Sequence, residues 1–256
     1  MTIPTITILL FAITLYLIFK PKKSNPIIKS CSPGWQKILF SKVRFYQTLS
    51  ATDQKEFERQ ILGFLNNHKI TGIEIEVTDE DKLLVASSAI IPVFHFLDWV
   101  YINLDEVLLY SSSFNESFET SVEKRNILGQ VGWGVMNRKM ILSKPALHQG
   151  FENEHSKSSV GIHEFVHLID KTDGTVDGLP EVILQKQYVI PWLKMMHQEI
   201  EKIKKGHSDI NPYGALNEAE FFSVVSEYFF NQPKLFEKKH PELFSMMDTM
   251  FNVQKK

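Results

Sequence analysis

The segment VGIHEFVHLIDKTDG, residues 160–174, constrains the fold more than any other stretch of the chain. Apolar Val160, Phe165, Val166, Leu168 and Ile169 interleave with His163, Glu164 and His167. On a helix, residues four apart stand one turn above each other on the same face. His163 and His167 then present two imidazoles to one metal ion. Zinc suits them, as a borderline-soft cation that takes imidazole nitrogen at about 2.0–2.1 Å. Glu164 stands beside the first histidine. There a carboxylate can take the proton of a water that zinc has acidified and deliver it to a leaving amine. The plainer alternative is an amphipathic helix with polar residues along its edge. That alternative leaves two partly buried histidines without partners, which is costly.

A catalytic zinc also needs a third protein ligand and an open fourth position. Downstream, NPYGALNEAEFFSVVSEYFFNQP contains Glu218, Glu220 and Glu227. Glu220 and Glu227 are seven apart and share a helical face, flanked by Phe221, Phe222, Val224 and Val225. A carboxylate among such neighbours is expensive unless it binds something. One of the two can ligate zinc while the other steadies a histidine from behind. His197 and His207 are further candidates. They stand in MMHQEIEKIKKGHSD, which reads as a solvated helix face, so Glu220 ranks above them.

Length and composition bound the rest. The chain has 256 residues, enough for one large domain or two small ones, and its 43% apolar and 23% charged content is globular. A net charge of −2 gives no footprint for direct nucleic-acid binding. Cys31 is the single cysteine, which excludes an internal disulfide and a Cys-rich structural zinc site and fits a reducing compartment. The first twenty residues differ from the remainder. Ile3 to Phe19 carries no charge, and at 1.5 Å per residue it spans about 25 Å, slightly short of a bilayer core. No Lys or Arg precedes Lys20 and no small-residue cleavage site follows, so residues 1–20 read as a single transmembrane anchor rather than a secretory signal. Lys20, Lys22, Lys23 and Lys29 lie just beyond it. By the positive-inside rule they place the following domain on the cytoplasmic face of the inner membrane.

Residues 21–34, rich in Pro, Ser and Lys, read as a linker, and residues 35–256 as one soluble domain. LSATDQKEFERQILGFLNN has apolar residues at helical spacing behind a polar cap. GIEIEVT alternates and is expected as a strand, and DEDKLLVASSAIIPVFHF as a buried helix. VYINL, EVLLYSSSF, QVGWGVM and KMILSK are short strand-like runs, with the polar FNESFETSVEKRNILG expected as a loop. Further helices are expected over 158–171, 185–205, 215–231 and 240–251. Helices around a small sheet make an α+β domain.

Four blocks, HEFVHLIDKTDG, DGLP, YGALNEAEFFSVVSEYFF and QPKLFEKKHPELF, resemble the Mlc titration factor A (MtfA) family of zinc-dependent peptidases. DEVLLYSSSF and KMILSK fit its pattern less distinctively. The resemblance begins near Trp35 and is strongest from Gly161 to Phe244. It implies a gluzincin-like fold with zinc held by His163, His167 and Glu220, and Glu164 as general base. It also places Tyr213 at a family tyrosine near the site, where the phenol either donates a hydrogen bond to the oxyanion of the reaction or belongs to a plain turn after Pro212. Asp170 and Glu227 match family positions and take supporting roles. Asp170, three residues past His167, is expected to accept a ring N–H. Two departures stand out. The N-terminal span is foreign to the family, and the segment EKRNILGQVGWG lacks a histidine that some members carry.

The activity implied is that of a membrane-anchored zinc metallopeptidase acting on peptides, of the aminopeptidase or short-peptide type. An aminopeptidase further needs a carboxylate to hold the substrate amine, for which Glu218 and Glu154 are candidates. The alternative is a module that sequesters a transcriptional regulator, the property behind the family's name, with zinc structural or regulatory. An intact Glu164 and three ligands rather than four argue against a purely structural zinc.

Overall fold

The computed structural model describes residues 27–113, 127–132 and 137–252. The expected transmembrane span Ile3–Phe19 lies outside these residues, as does most of the expected loop in FNESFETSVEKRNILG. Among the described residues no helix is long and apolar enough to cross a membrane.

The fold is α+β and mostly helical, with one small mixed sheet. Three helices open it: α1 (Pro33–Lys42), the short α2 (Arg44–Thr48) and α3 (Ala51–Asn67). Strand β1 (Lys69–Ile73) follows, then α4 (Asp79–Ile90) and β2 (Glu106–Tyr110). β3 (Gly129–Val131) and β4 (Lys139–Ser143) complete the sheet. The remainder is helical: α5 (Lys144–Glu152), α6 (Val160–Asp170), α7 (Val189–Lys204), α8 (Glu218–Asn231), α9 (Pro233–Lys239) and α10 (Pro241–Phe251). Strand order is β1-β2-β4-β3. β1, β2 and β4 run parallel, and β3 pairs antiparallel with β4 at the edge.

Alternation along the strands divides the sheet into two faces. Val107, Leu109, Met140 and Leu142 point into the main core, while Leu108 and Ile141 form a small cluster on the other side. Helix α4 lies in the main core and is buried on nearly all sides. Its Thr78–Asp81 capping box satisfies the first turn. Helix α6 crosses α4 so closely that a Cβ on Gly161 would stand 2.2 Å from Ser88 Oγ. That approach brings the HEFVH segment to the middle of the molecule.

Several elements differ from the sequence reading. The strand expected in GIEIEVT is β1, which starts at Lys69 and stops at Ile73. Parallel pairing from Lys69↔Glu106 to Ile73↔Tyr110 sets its register, and Glu74 at φ 59° turns the chain out of the sheet. VYINL is a loop in which Tyr101 is buried and donates its hydroxyl proton to the Ala89 carbonyl at 2.7 Å. The buried helix ends at Ile90 and continues as a 3₁₀ turn, Ile91–Val93, because Pro92 has no N–H to extend it. At the start of the domain, the last two residues of the expected linker, Pro33 and Gly34, form the first turn of α1. The Ser32 side chain caps that turn at Trp35 N.

Candidate metal centre

Helices α6 and α8 pack side by side and supply the chemistry from facing sides. His163 and His167 come from α6, and Glu220 from the first turn of α8. Asn217 fixes where α8 begins, its side chain accepting from Glu220 N at 2.9 Å. His163 Nε2 lies 3.0 Å from Glu220 Oε2, His167 Nε2 lies 3.5 Å from the same oxygen, and the two Nε2 atoms are 3.1 Å apart. Ligands about 2.0–2.1 Å from a tetrahedral zinc stand about 3.3–3.4 Å from one another. The three atoms therefore form one face of such a tetrahedron. Among the described residues they are the one group of three or more His, Cys, Asp or Glu side chains arranged to hold a metal ion.

The far sides of both rings are held. Glu227 Oε1 lies 2.7 Å from His163 Nδ1, and the other Glu227 oxygen accepts from Ser159 N at 2.5 Å, at the entrance to α6. Ser223 Oγ lies 3.1 Å from His167 Nδ1. With Nδ1 engaged on each ring, Nε2 is left to face the metal position.

Charge also fits a cation. Burial opposes a charged His163, but hydrogen bonds to Glu220 and Glu227 outweigh it and lift its pKa to about 10. Burial works against the Glu220 carboxylate too, yet His163 and His167 hold it down to about 2. Glu164, Glu220 and Glu227 thus set three carboxyl groups around two imidazoles. A divalent ion would offset two of those negative charges.

Glu164 is buried beside the triad, against the edge strand. A Cβ on Gly129 would stand 2.7 Å from both its Cγ and its Oε1. Burial pushes its pKa up, opposed by His163 and His167. An open cleft of about 600 Å³ meets the metal position, with Gln130 and Val131 of β3 on one wall and Val176 and Asp177 on the other.

The remaining expected site residues fall as follows. Tyr213 stands half-exposed on a 3₁₀ turn, Pro212–Ala215, with its ring centroid 5.9 Å from that of His163. Burial and then the charges of Glu220, Glu164 and Glu227 raise its phenol pKa. Asp170 does not reach His167. Its Oδ2 accepts from Gly178 N at 2.8 Å, because α6 ends at this residue and the side chain turns toward the segment that follows. The ring position expected for it belongs to Ser223, which the sequence reading missed. Its signal was available: Glu220, Ser223 and Glu227 sit at i, i+3 and i+7 on one helical face. Gly129 had no signal in sequence. Glu218 lines the cleft and faces His197, whose Nε2 is 3.3 Å away. Glu154 lies at a different cavity, where its main-chain carbonyl accepts from Arg44 and Gln232. His207 is exposed beyond the end of α7, apart from the triad.

Comparison with known proteins adds a family. A model described as glucose-regulated metallo-peptidase M90 matches residues 20–252. A Synechocystis sp. protein carrying the name Uncharacterized protein slr2042 is 27% identical over 227 residues, 84% of this chain and 82% of its own. Proteins named Mlc titration factor A are similar at the same scale. The one from Klebsiella pneumoniae subsp. pneumoniae is 25% identical over 239 residues, covering 88% of this chain and 87% of that protein. The one from Enterobacter sp. is 26% identical over the same length and coverage.

Proposed function

The chain belongs to the glucose-regulated metallo-peptidase M90 family, and from that premise we propose that it is a zinc-dependent peptidase of gluzincin type whose metal is held by His163, His167 and Glu220. One observation carries the reading. Two imidazole nitrogens and one carboxylate oxygen converge at 3.0–3.5 Å, with a buried carboxyl group beside them and a cleft in front. When bound, zinc supplies Lewis acidity that acidifies a water and polarises the scissile carbonyl. Glu164 takes the water proton and passes it to the departing amine. Glu164 is buried on the same helix as the two histidines, next to His163. Tyr213 donates a hydrogen bond from its phenol to the developing oxyanion from the cleft side. Glu227 and Ser223 accept the Nδ1 protons and keep both rings in register.

The substrate class is a short peptide, and the cleavage is of aminopeptidase type. Glu218 at the cleft rim supports this as a partner for a free amine, a part that Glu154 is too remote to play. Residues 1–20 anchor the chain in the inner membrane as a single-pass helix, residues 21–34 tether it, and residues 35–256 face the cytoplasm. The uncharged run Ile3–Phe19 and the lysines after it support this arrangement. The relatives' name, Mlc titration factor A, favours a second reading in which the domain titrates a regulator.

The test compares wild type and Glu164→Gln at equal zinc loading on peptides and aminoacyl anilides. Hydrolysis by wild type, lost in the variant with zinc retained, is expected. Equal inactivity of both proteins with zinc bound would refute the peptidase reading and leave the regulator reading ahead.

A further inference from the structure

We propose that Asp170 is a positioning residue that sets Glu220 at its distance from the two histidines by anchoring the turn at Gly178. The inference rests on the metal-site reading above. Asp170 closes the helix that carries both histidines, and it is 1% exposed. Its Oδ2 accepts from Gly178 N at 2.8 Å. Gly178 is itself fixed on several sides. Its φ is +75°, in the left-handed region that glycine adopts without strain. A Cβ there would stand 2.4 Å from the Glu218 carbonyl oxygen and 3.2 Å from Ala219 N. Its own carbonyl accepts from Trp192 Nε1 at 2.7 Å.

Trp192 continues the connection. It is fully buried, and its ring centroid lies 5.9 Å from that of Phe221 and 6.0 Å from that of Phe222. The Gly178 turn therefore touches α8 on both sides of Glu220. Glu218 and Ala219 meet it directly, and Phe221 and Phe222 meet it through Trp192. The histidine helix and the glutamate helix are far apart in sequence, and the turn links them, hydrogen-bonded to Asp170 on one side and packed against the backbone of α8 on the other. The same turn carries Val176 and Asp177 into the cleft wall.

A packing role does not account for the carboxylate. Asp170 Oδ1 is buried and has no hydrogen-bond partner among the described residues. A half-satisfied buried carboxylate costs stability, so it needs an explanation beyond filling space. Holding one backbone N–H at a defined point is such an explanation.

The full-length chain, purified in detergent, is tested by zinc affinity in chelator competition, by the visible spectrum of the cobalt(II)-substituted protein, and by Tm. Asp170→Ala is expected to weaken zinc about tenfold or more, the range seen when a supporting partner is lost, and to alter the cobalt spectrum. Asp170→Asn keeps an oxygen that can accept from Gly178 N and should restore most of both. Gly178→Ala, pressing on α8 from the other side, should weaken zinc as Asp170→Ala does. Phe57→Leu, in the core of α3, serves as a control that lowers Tm without touching the site. Zinc affinity and cobalt spectrum unchanged in Asp170→Ala would overturn the proposal, as would equal weakening by Phe57→Leu. Wild type that takes up no stoichiometric zinc would instead defeat the metal-site reading and the proposal with it.

Discussion

Replacing Gly129 with alanine should disable hydrolysis while leaving the fold standing. The added methyl would lie 2.7 Å from Glu164 Cγ and Oε1 and 2.8 Å from Val160 Cγ2. Relaxed carbon contacts are about 3.5–4.0 Å, so roughly 1 Å must be found somewhere. Three groups could yield it. Strand β3 is held to β4 on both flanks, by Ser143 N to the Leu128 carbonyl and Gly132 N to the Lys139 carbonyl, each at 2.8 Å. Val160 is β-branched on a helix, with little χ1 freedom. Glu164 is the softest of the three, so the proposed general base moves. Overpacking of this kind costs about 1–2 kcal/mol, which lowers Tm by about 2–8 °C at roughly 2–4 °C per kcal/mol for a domain of this size. A misplacement of about 1 Å in the reacting geometry costs about 100-fold in rate, or about 2.7 kcal/mol of barrier. The assay is kcat on a peptide substrate, with zinc content and Tm measured on the same preparation. A kcat within about threefold of wild type at full zinc occupancy would refute the placement of Glu164 as the base.

Removing the hydroxyl of Ser223 leaves His167 Nδ1 without its partner at 3.1 Å; Ser223→Ala should weaken zinc about tenfold or more in chelator competition with little change in Tm. Gly63, inside α3, has no described atom beyond its own helix backbone within 4 Å of where a Cβ would go; Gly63→Ala should stabilise by about 0.5–1 kcal/mol through the unfolded chain, read as a rise in urea midpoint at unchanged activity. Burial disfavours a charged Asp81, yet hydrogen bonds from Lys144, His148 and Thr78 hold its pKa down to about 2 from the usual 3.8. A depressed folded-state pKa gives stability that is present above the unfolded value and lost as pH falls through the folded one. Asp81→Asn should therefore lower the urea midpoint at neutral pH and flatten its decline between about pH 4 and pH 2.

Periodicity found the long helices because burying one face demands it. The expected 158–171, 185–205, 215–231 and 240–251 correspond to Val160–Asp170, Val189–Lys204, Glu218–Asn231 and Pro241–Phe251. The starts moved inward where a cap or a 3₁₀ turn intervenes, as at Asn217 and at Lys186–Tyr188. Four helices, α1, α2, α5 and α9, had no counterpart among the expected elements, and three of them share a feature. Pro33, Pro145 and Pro233 each occupy the first turn of α1, α5 and α9, where a missing N–H costs nothing, so a proline marks a helix start there rather than a break. The sheet was harder to read. Register in β1 comes from β2, more than thirty residues away, and no local alternation encodes it.

The metal triad was legible for a geometric reason. Spacings of four and seven on a helix place side chains on one face whatever the surroundings. The same rule failed at Asp170. Three residues past His167 puts it on the correct face of an ideal helix, but α6 ends there and its carboxylate turns to Gly178 instead. The partner of His167 comes from α8, between the proposed ligand Glu220 and the Glu227 that holds His163. A single face of α8 thus meets the metal position and the backs of both imidazoles. Displacing α8 as a body disturbs all three contacts together, and no rotamer change in one side chain can restore them. The placement of α8 against α6 is the quantity the fold must hold most tightly. That is why the bracing falls on backbone at Gly178, Glu218 and Ala219, where flexible side chains cannot absorb the error.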